Sequence, residues 1–216
     1  LLKVQKPGRY VGGELNEVIK DKNNVDVRFA FCFPDTYEVG MSHLGMKILY
    51  SQFNKEDYIW CERVFAPWID MEEEMIKHNI PLYALESGDP VSDFDFIGFT
   101  LQYELSFTNM LNMLKLSNVP IKSADRKELK QIVVAGGPCA CNPEPIADFV
   151  DIFFIGEGEE VDLEVINLFR ECRKEGKSKA EFLQLCSHIE GVYVPSLYDV
   201  SYNDDGTIKS FEPKGD

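Results

Sequence analysis

Apolar residues along this chain gather in short runs, and the stretches between those runs carry them at helical spacing. The run from Val25 to Phe33 predicts a first strand, stopped by Pro34 and Asp35. Ser42 is the expected N-cap of a helix that passes through Leu44, Ile48 and Leu49 to Phe53. Tyr58 to Phe65 predicts a second strand. Trp68 to His78 predicts a helix whose first turn is acidic, as its positive dipole end favours. Phe94 to Leu101 predicts a third strand, and Leu105 to Leu116 the helix after it. Gln131 to Ala135 and Asp151 to Ile155 predict two more strands, stopped by Gly136-Gly137-Pro138 and by Gly156-Glu157-Gly158. A long helix is expected from Val161 to Cys172.

Strands that read as near-continuous apolar runs belong to a sheet covered on both faces. Their alternation with helices implies right-handed crossovers between parallel strands. The expected fold is therefore α/β, an open doubly wound sheet of five parallel strands in the order 2-1-3-4-5. After Glu190 the pattern changes. Leu197 to Tyr202 and Thr207 to Phe211 flank the turn Asn203-Asp204-Asp205-Gly206 and predict a small hairpin. The organisation read from these shifts is a polar N-terminal arm over residues 1–24, the α/β domain over 25–190, and an exit segment over 191–216 that leads towards a further domain.

Composition narrows the function classes. The chain has 216 residues and a formal net charge of −15, which opposes binding to a nucleic-acid backbone. No apolar run approaches the ~20 residues of a membrane span, and no signal-peptide pattern is present. Six cysteines, Cys32, Cys61, Cys139, Cys141, Cys172 and Cys186, follow no disulfide framework. They predict reduced structural thiols in a cytoplasmic protein. Cys139 and Cys141 form the one close pair, and a lone C-x-C supplies too few ligands for a metal.

Polar and glycine-rich loops follow each predicted strand. The first loop runs from Phe33 to Gly45 and contains Asp35, Tyr37, Gly40 and His43. The third strand ends in Thr100-Leu101-Gln102-Tyr103-Glu104, the fourth in Gly136-Gly137-Pro138-Cys139, and the fifth in Gly156-Glu157-Gly158-Glu159-Glu160. Doubly wound sheets bind ligands beyond the carboxyl ends of their strands, and glycines there permit close backbone approach. The aromatic residues Trp60, Trp68 and Tyr103 are read as core. Glu157, Glu159 and Glu160 either contact a ligand or another domain, or compensate the dipole of the helix they start.

The succession strand-Pro-Asp-loop-Gly-helix, then Val-Ala-Gly-Gly-Pro, then Ile-Gly-Glu-Gly-Glu resembles the cobalamin-binding-like domain placed ahead of many radical S-adenosylmethionine barrels. Five stretches, Arg9–Asn16, Tyr37–Gly45, Cys61–Trp68, Leu101–Leu105 and Val134–Pro138, are similar to a bacterial family of radical S-adenosylmethionine, Fe-S oxidoreductase-like proteins. The likeness runs from about Arg9 to Pro195. It implies an accessory domain with a flavodoxin-like fold whose partner is the protein's own radical barrel. In that family the barrel carries a C-x-x-x-C-x-x-C triplet for a [4Fe-4S] cluster beside S-adenosylmethionine. This sequence contains no such triplet, so cluster and cofactor are expected only in a domain outside it.

The resemblance also implies a cobalamin site. Its candidate residues are Asp35, Tyr37, Gly40, His43, Thr100, Gln102, Gly136, Gly137, Pro138, Gly156, Glu157 and Gly158. Domains that replace the lower cobalt ligand use D-x-H-x-x-G, and here Asp35-x-Tyr37-x-x-Gly40 puts a phenol where the imidazole would stand. His43 is expected at a helix start rather than on cobalt. Two other readings stay open. One is a degenerate domain that only packs on the barrel, and the other is a flavodoxin-like ligand-binding module. A phosphoryl receiver is disfavoured, because Thr100-Leu101-Gln102 follows the third strand where its acceptor Asp would lie.

Overall fold

Every residue of β1 (Val27–Phe33) is buried, with Arg28, Ala30 and Cys32 towards one face and Val27, Phe29, Phe31 and Phe33 towards the other. This is the burial of a strand with helices on both sides. A computed structural model describes residues 1–214, so the last two residues of the exit segment lie outside the described residues. The chain continues through α1 (Tyr37–Ser42), α2 (Leu44–Lys55), β2 (Ile59–Phe65), α3 (Ile69–His78), β3 (Phe96–Thr100) and α4 (Phe107–Leu116). It then forms β4 (Ile132–Gly136), β5 (Ile152–Phe154), α5 (Gly158–Lys174), α6 (Lys179–Cys186) and β6 (Val192–Tyr193), and ends in β7 (Tyr198–Tyr202) and β8 (Ile208–Pro213).

The expected order holds. The sheet runs β2-β1-β3-β4-β5-β6, its first five strands parallel, and β7 and β8 form the separate antiparallel hairpin. The sixth strand differs from expectation: β6 adds to β5 antiparallel through only two residue pairs. Two residues are too few to leave a readable alternation. The helix α6 was likewise not foreseen, although Ser178 and Glu181 form a reciprocal capping box at its start.

The helix after β1 also differs. Ser42 does not cap it, because the loop first winds into α1, whose last turn uses the Ser42 hydroxyl to donate to the Glu38 carbonyl at 2.7 Å. The cap is His43, whose Nδ1 accepts from the Met46 amide at 3.1 Å. The helix after β3 starts as a 3-10 turn over Glu104–Ser106, and α5 begins three residues earlier than its apolar pattern, at Gly158.

Two cores flank the sheet. Helices α3 and α4 cover one face through Met71, Met75, Met110 and Met113. Helices α2, α5 and α6 cover the other through Met46, Phe53, Phe169 and Phe182. The N-terminal arm lies against the sheet domain. Trp60 Nε1 donates to the Val18 carbonyl at 2.9 Å, and Lys20 Nζ reaches the Glu56 and Ile59 carbonyls at 2.7 and 2.6 Å.

The buried carboxylate of Asp151 ties together four segments. It accepts from Arg126 Nη2 at 3.0 Å, Lys179 Nζ at 2.7 Å, the Val133 amide at 2.8 Å and the Ser123 hydroxyl. Its side chain is fully enclosed, as is nearly all of Arg126. Removing one member of such a network leaves buried charges without partners. Asp151→Ala is expected to lower unfolding stability by about 3–5 kcal/mol in urea titrations. A loss well under 1 kcal/mol would show that the network holds α6 to the sheet no better than exposed ion pairs do.

Candidate functional site

The helix that follows β1 and the helix that follows β3 lie on opposite faces of the sheet. Their divergence opens a gap at the carboxyl ends of these adjacent strands. On the α2 and α5 side, this gap is a crevice of about 240 Å³. Phe29, Phe31 and Phe154 are aromatic side chains of its floor. Gly98 lies among them because any side chain there would overlap the Phe29 ring. His43 and Leu49 bound it on the α2 side, and Gly158 and Asp162 on the α5 side.

Nine of the twelve candidate residues come together at this crevice: His43, Thr100, Gln102, Gly136, Gly137, Pro138, Gly156, Glu157 and Gly158. Gln102 Nε2 donates to the Thr100 hydroxyl at 2.8 Å, which fixes the amide on the rim. Gly137 has φ +94, and a side chain on it would meet the Leu101 carbonyl at 2.8 Å. Its glycine is thus required by the chain's own packing, since the β3 and β4 loops are joined by Leu101 N–H to Gly136 O at 2.8 Å and Cys139 N–H to Leu101 O at 3.1 Å.

The other three candidates lie elsewhere. Asp35 sits in a neighbouring recess with Thr100 and Gln102, where its carboxylate accepts from the Tyr103 hydroxyl at 2.6 Å and bridges the β1 and β3 loops. Tyr37 turns to the N-terminal arm and donates to Glu14. Gly40 lies against the Phe65 ring and lines a second cavity of about 560 Å³ between α2, Arg63 and the arm. Of the aromatics expected in the core, Trp60 is buried, whereas Trp68 and Tyr103 are about two-fifths exposed at 45% and 40%.

His43 is committed to its helix. With the Nδ1 lone pair taken up by the Met46 amide, the neutral ring carries its proton on Nε2 and has no lone pair left for a metal. Among the described residues, no three His, Cys, Asp or Glu side chains converge as a metal site.

Asp162 was not among the candidates. It is 6% exposed, lines the crevice, and has no hydrogen-bond partner for its buried Oδ1. Burial, with a smaller contribution from Glu159, pushes its carboxyl up to about 8. The other titratable residues of the crevice are His43, Glu157 and Glu159; no Lys or Arg lines it. The signal was present in the sequence as an acid at an inward position of α5, one turn after Gly158, but helical spacing alone did not separate it from the exposed acids around it.

The chain is an open doubly wound α/β domain with a small, apolar-floored, acidic crevice at its strand switch, the position at which sheets of this architecture bind ligands. A family model described as radical SAM proteins, N-terminal, matches residues 45–195, and the chain belongs to that family. It is also 33% identical over 141 residues to an uncharacterized protein of Methanocaldococcus jannaschii. That match covers 64% of this chain, which spans about a quarter, 26%, of the relative's length. No solved structure matches the chain.

The unpaired Asp162 makes stability depend on pH. Its folded value lies above the ordinary 3.8, so the folded state holds a proton that the unfolded chain releases, and stability falls as pH rises from about 4 to about 8. Asp162→Asn removes that proton linkage. The variant is expected to gain on the order of 3 kcal/mol more at pH 8 than at pH 5, relative to the parent, in thermal or urea unfolding. An equal change at both pH values would show that the carboxyl is ionised and solvated.

Proposed function

We propose that this chain is the accessory domain of a radical S-adenosylmethionine protein and presents a corrinoid on the carboxyl edge of its sheet to the radical barrel. The observation that carries this reading is the crevice at the β1 and β3 switch, rimmed by the β3, β4 and β5 loops. Large exposed apolar side chains gather in the segments after the strands, among them Leu44 at 68%, Trp68 at 45%, Leu105 at 84% and Ile155 at 38%. Such a rim suits a domain that is covered by another. The family supports a radical barrel as that partner.

The residues fit a corrinoid of one kind only. A crevice of about 240 Å³ admits a flat appendage of a ligand and leaves a macrocycle outside, on the rim of Thr100, Gln102, Gly136, Gly137, Pro138, Gly156, Glu157 and Gly158. Tyr37 points away, and His43 is held by its cap, so neither supplies an axial ligand from below. Bound cobalamin would supply a carrier of a methyl group or an electron for the barrel. This domain would hold the group on that rim, with Phe29, Phe31 and Phe154 excluding water from the crevice and no free imidazole offered to the metal.

The test is titration of the protein carrying its barrel with hydroxocobalamin. The expected result is saturable binding and, after one-electron reduction, a paramagnetic resonance spectrum without nitrogen splitting from protein imidazole. His43→Ala should leave that spectrum unchanged while costing about 1 kcal/mol of stability through the lost cap. Nitrogen splitting that vanishes in His43→Ala would overturn the assignment of His43. No spectral change at millimolar cofactor would replace the corrinoid reading with a domain that only docks on the barrel.

A further inference from the structure

The crevice contains a chemical anomaly. Asp162 projects from the second turn of α5 and is enclosed by the helix, α2 and the sheet, yet none of its neighbours offers it a hydrogen bond. Buried carboxylates are normally paired with a cation or with several N–H groups, as Asp151 is in this same chain. Nothing of that kind surrounds Asp162. The groups facing it are Gly158 and Glu159 of its own helix, Leu49 and Phe53 of α2, and the aromatic floor of the sheet. His43 and Glu157 stand at the mouth-forming ends of α2 and α5. Every residue lining the crevice is thus acidic, neutral or a helix-capping histidine.

We propose that Asp162 serves this crevice as a neutral carboxylic acid that donates a hydrogen bond to an uncharged acceptor atom on the inserted group. The proposal rests on the crevice being the ligand site, and not on the ligand being a corrinoid. It names the class of group that enters: flat enough to lie on Phe29 and Phe31, small enough for about 240 Å³, free of negative charge, and bearing one ring nitrogen or carbonyl acceptor. An anionic group would meet Glu157, Glu159 and Asp162 with no basic side chain to offset them. A group without an acceptor would leave the buried O–H unpaired. Because the carboxyl gives up its proton near pH 8, recognition is linked to pH, and the acceptor is released as the site ionises.

Three flat bicyclic probes separate the alternatives. Isoquinoline is flat and uncharged with one acceptor nitrogen, naphthalene has none, and N-methylisoquinolinium carries a fixed positive charge. Calorimetric titration of the full-length protein is expected to show isoquinoline binding about tenfold more tightly than naphthalene at pH 7. Its affinity should then fall by roughly tenfold per unit above pH 8. Asp162→Asn keeps a donor, so it should retain isoquinoline binding with a flat pH profile. Asp162→Leu should reduce the preference for isoquinoline over naphthalene to near unity, with circular dichroism reporting that the fold persists. N-methylisoquinolinium binding more tightly than isoquinoline at pH 7, where the carboxyl should be neutral, or isoquinoline binding that is insensitive to both variants, would overturn the proposal. If hydroxocobalamin binds but these probes fail, the functional reading stands and Asp162 is not its recognition group. If the probes behave as expected and hydroxocobalamin does not bind, the reverse holds.

Discussion

The contact between the Phe29 ring and the bare backbone of Gly98 fixes the middle of the sheet, and the site is built on it. β1 and β3 are adjacent and parallel, and Phe31 pairs in register with Gly98. The Phe29 ring occupies the space that a side chain at position 98 would fill, stacked on Phe96 at 5.8 Å and tilted on Phe53 at 4.9 Å. The aromatic floor is therefore continuous across two strands. Above it, α2 and α4 leave in opposite directions, since the chain switches faces between β1 and β3. A sheet that must be covered on both faces cannot also be closed at that switch, and the crevice is the space that remains.

The loops around the crevice are held by their own contacts rather than left free for a ligand to order. Asp35 and Tyr103 join the β1 and β3 loops, and Leu101 joins the β3 loop to Gly136 and Cys139 of the β4 loop. Glu159 and Glu160 occupy the first turn of α5, and Arg173 and Lys174 its last, each matched to the helix dipole. Among the described residues three buried side-chain atoms lack a partner: Arg28 Nε and Arg63 Nη2, whose guanidiniums are ion-paired through their other nitrogens, and Oδ1 of Asp162, whose carboxyl has no counter-ion. Structural carboxylates elsewhere in the chain show what a satisfied one looks like. Asp151 has four donor groups and Glu62 has Arg28 and the Ser87 amide.

The strands were legible because a parallel sheet buried on both faces writes them as unbroken apolar runs, and their order 2-1-3-4-5 was expected as that of a flavodoxin-like doubly wound sheet. The glycine and polar loops marked the carboxyl edge for the same reason: strands end where apolar runs end. What failed depended on tertiary geometry. Tyr37 and Gly40 share a loop with His43, but winding of that loop into α1 turns Tyr37 to Glu14 and seats Gly40 against Phe65. Spacing in sequence could not distinguish this from a loop running along the edge. Gly98 and Asp162 were missed because each sits inside an element, where a glycine in a strand and an acid in a helix look unremarkable until the opposite wall is known. The two-residue β6 and the eight-residue α6 were too short to express a period.

The central claim is that the carboxyl edge, and not the larger cavity beside the N-terminal arm, receives the ligand. Hydrogen exchange of the full-length protein, read with and without hydroxocobalamin, tests it most directly. Protection is expected in the backbone amides of residues 100–103, 136–141 and 156–160, with residues 13–18 unchanged. Protection confined to residues 13–18 and α2, with the three strand-edge loops exchanging as before, would contradict the account.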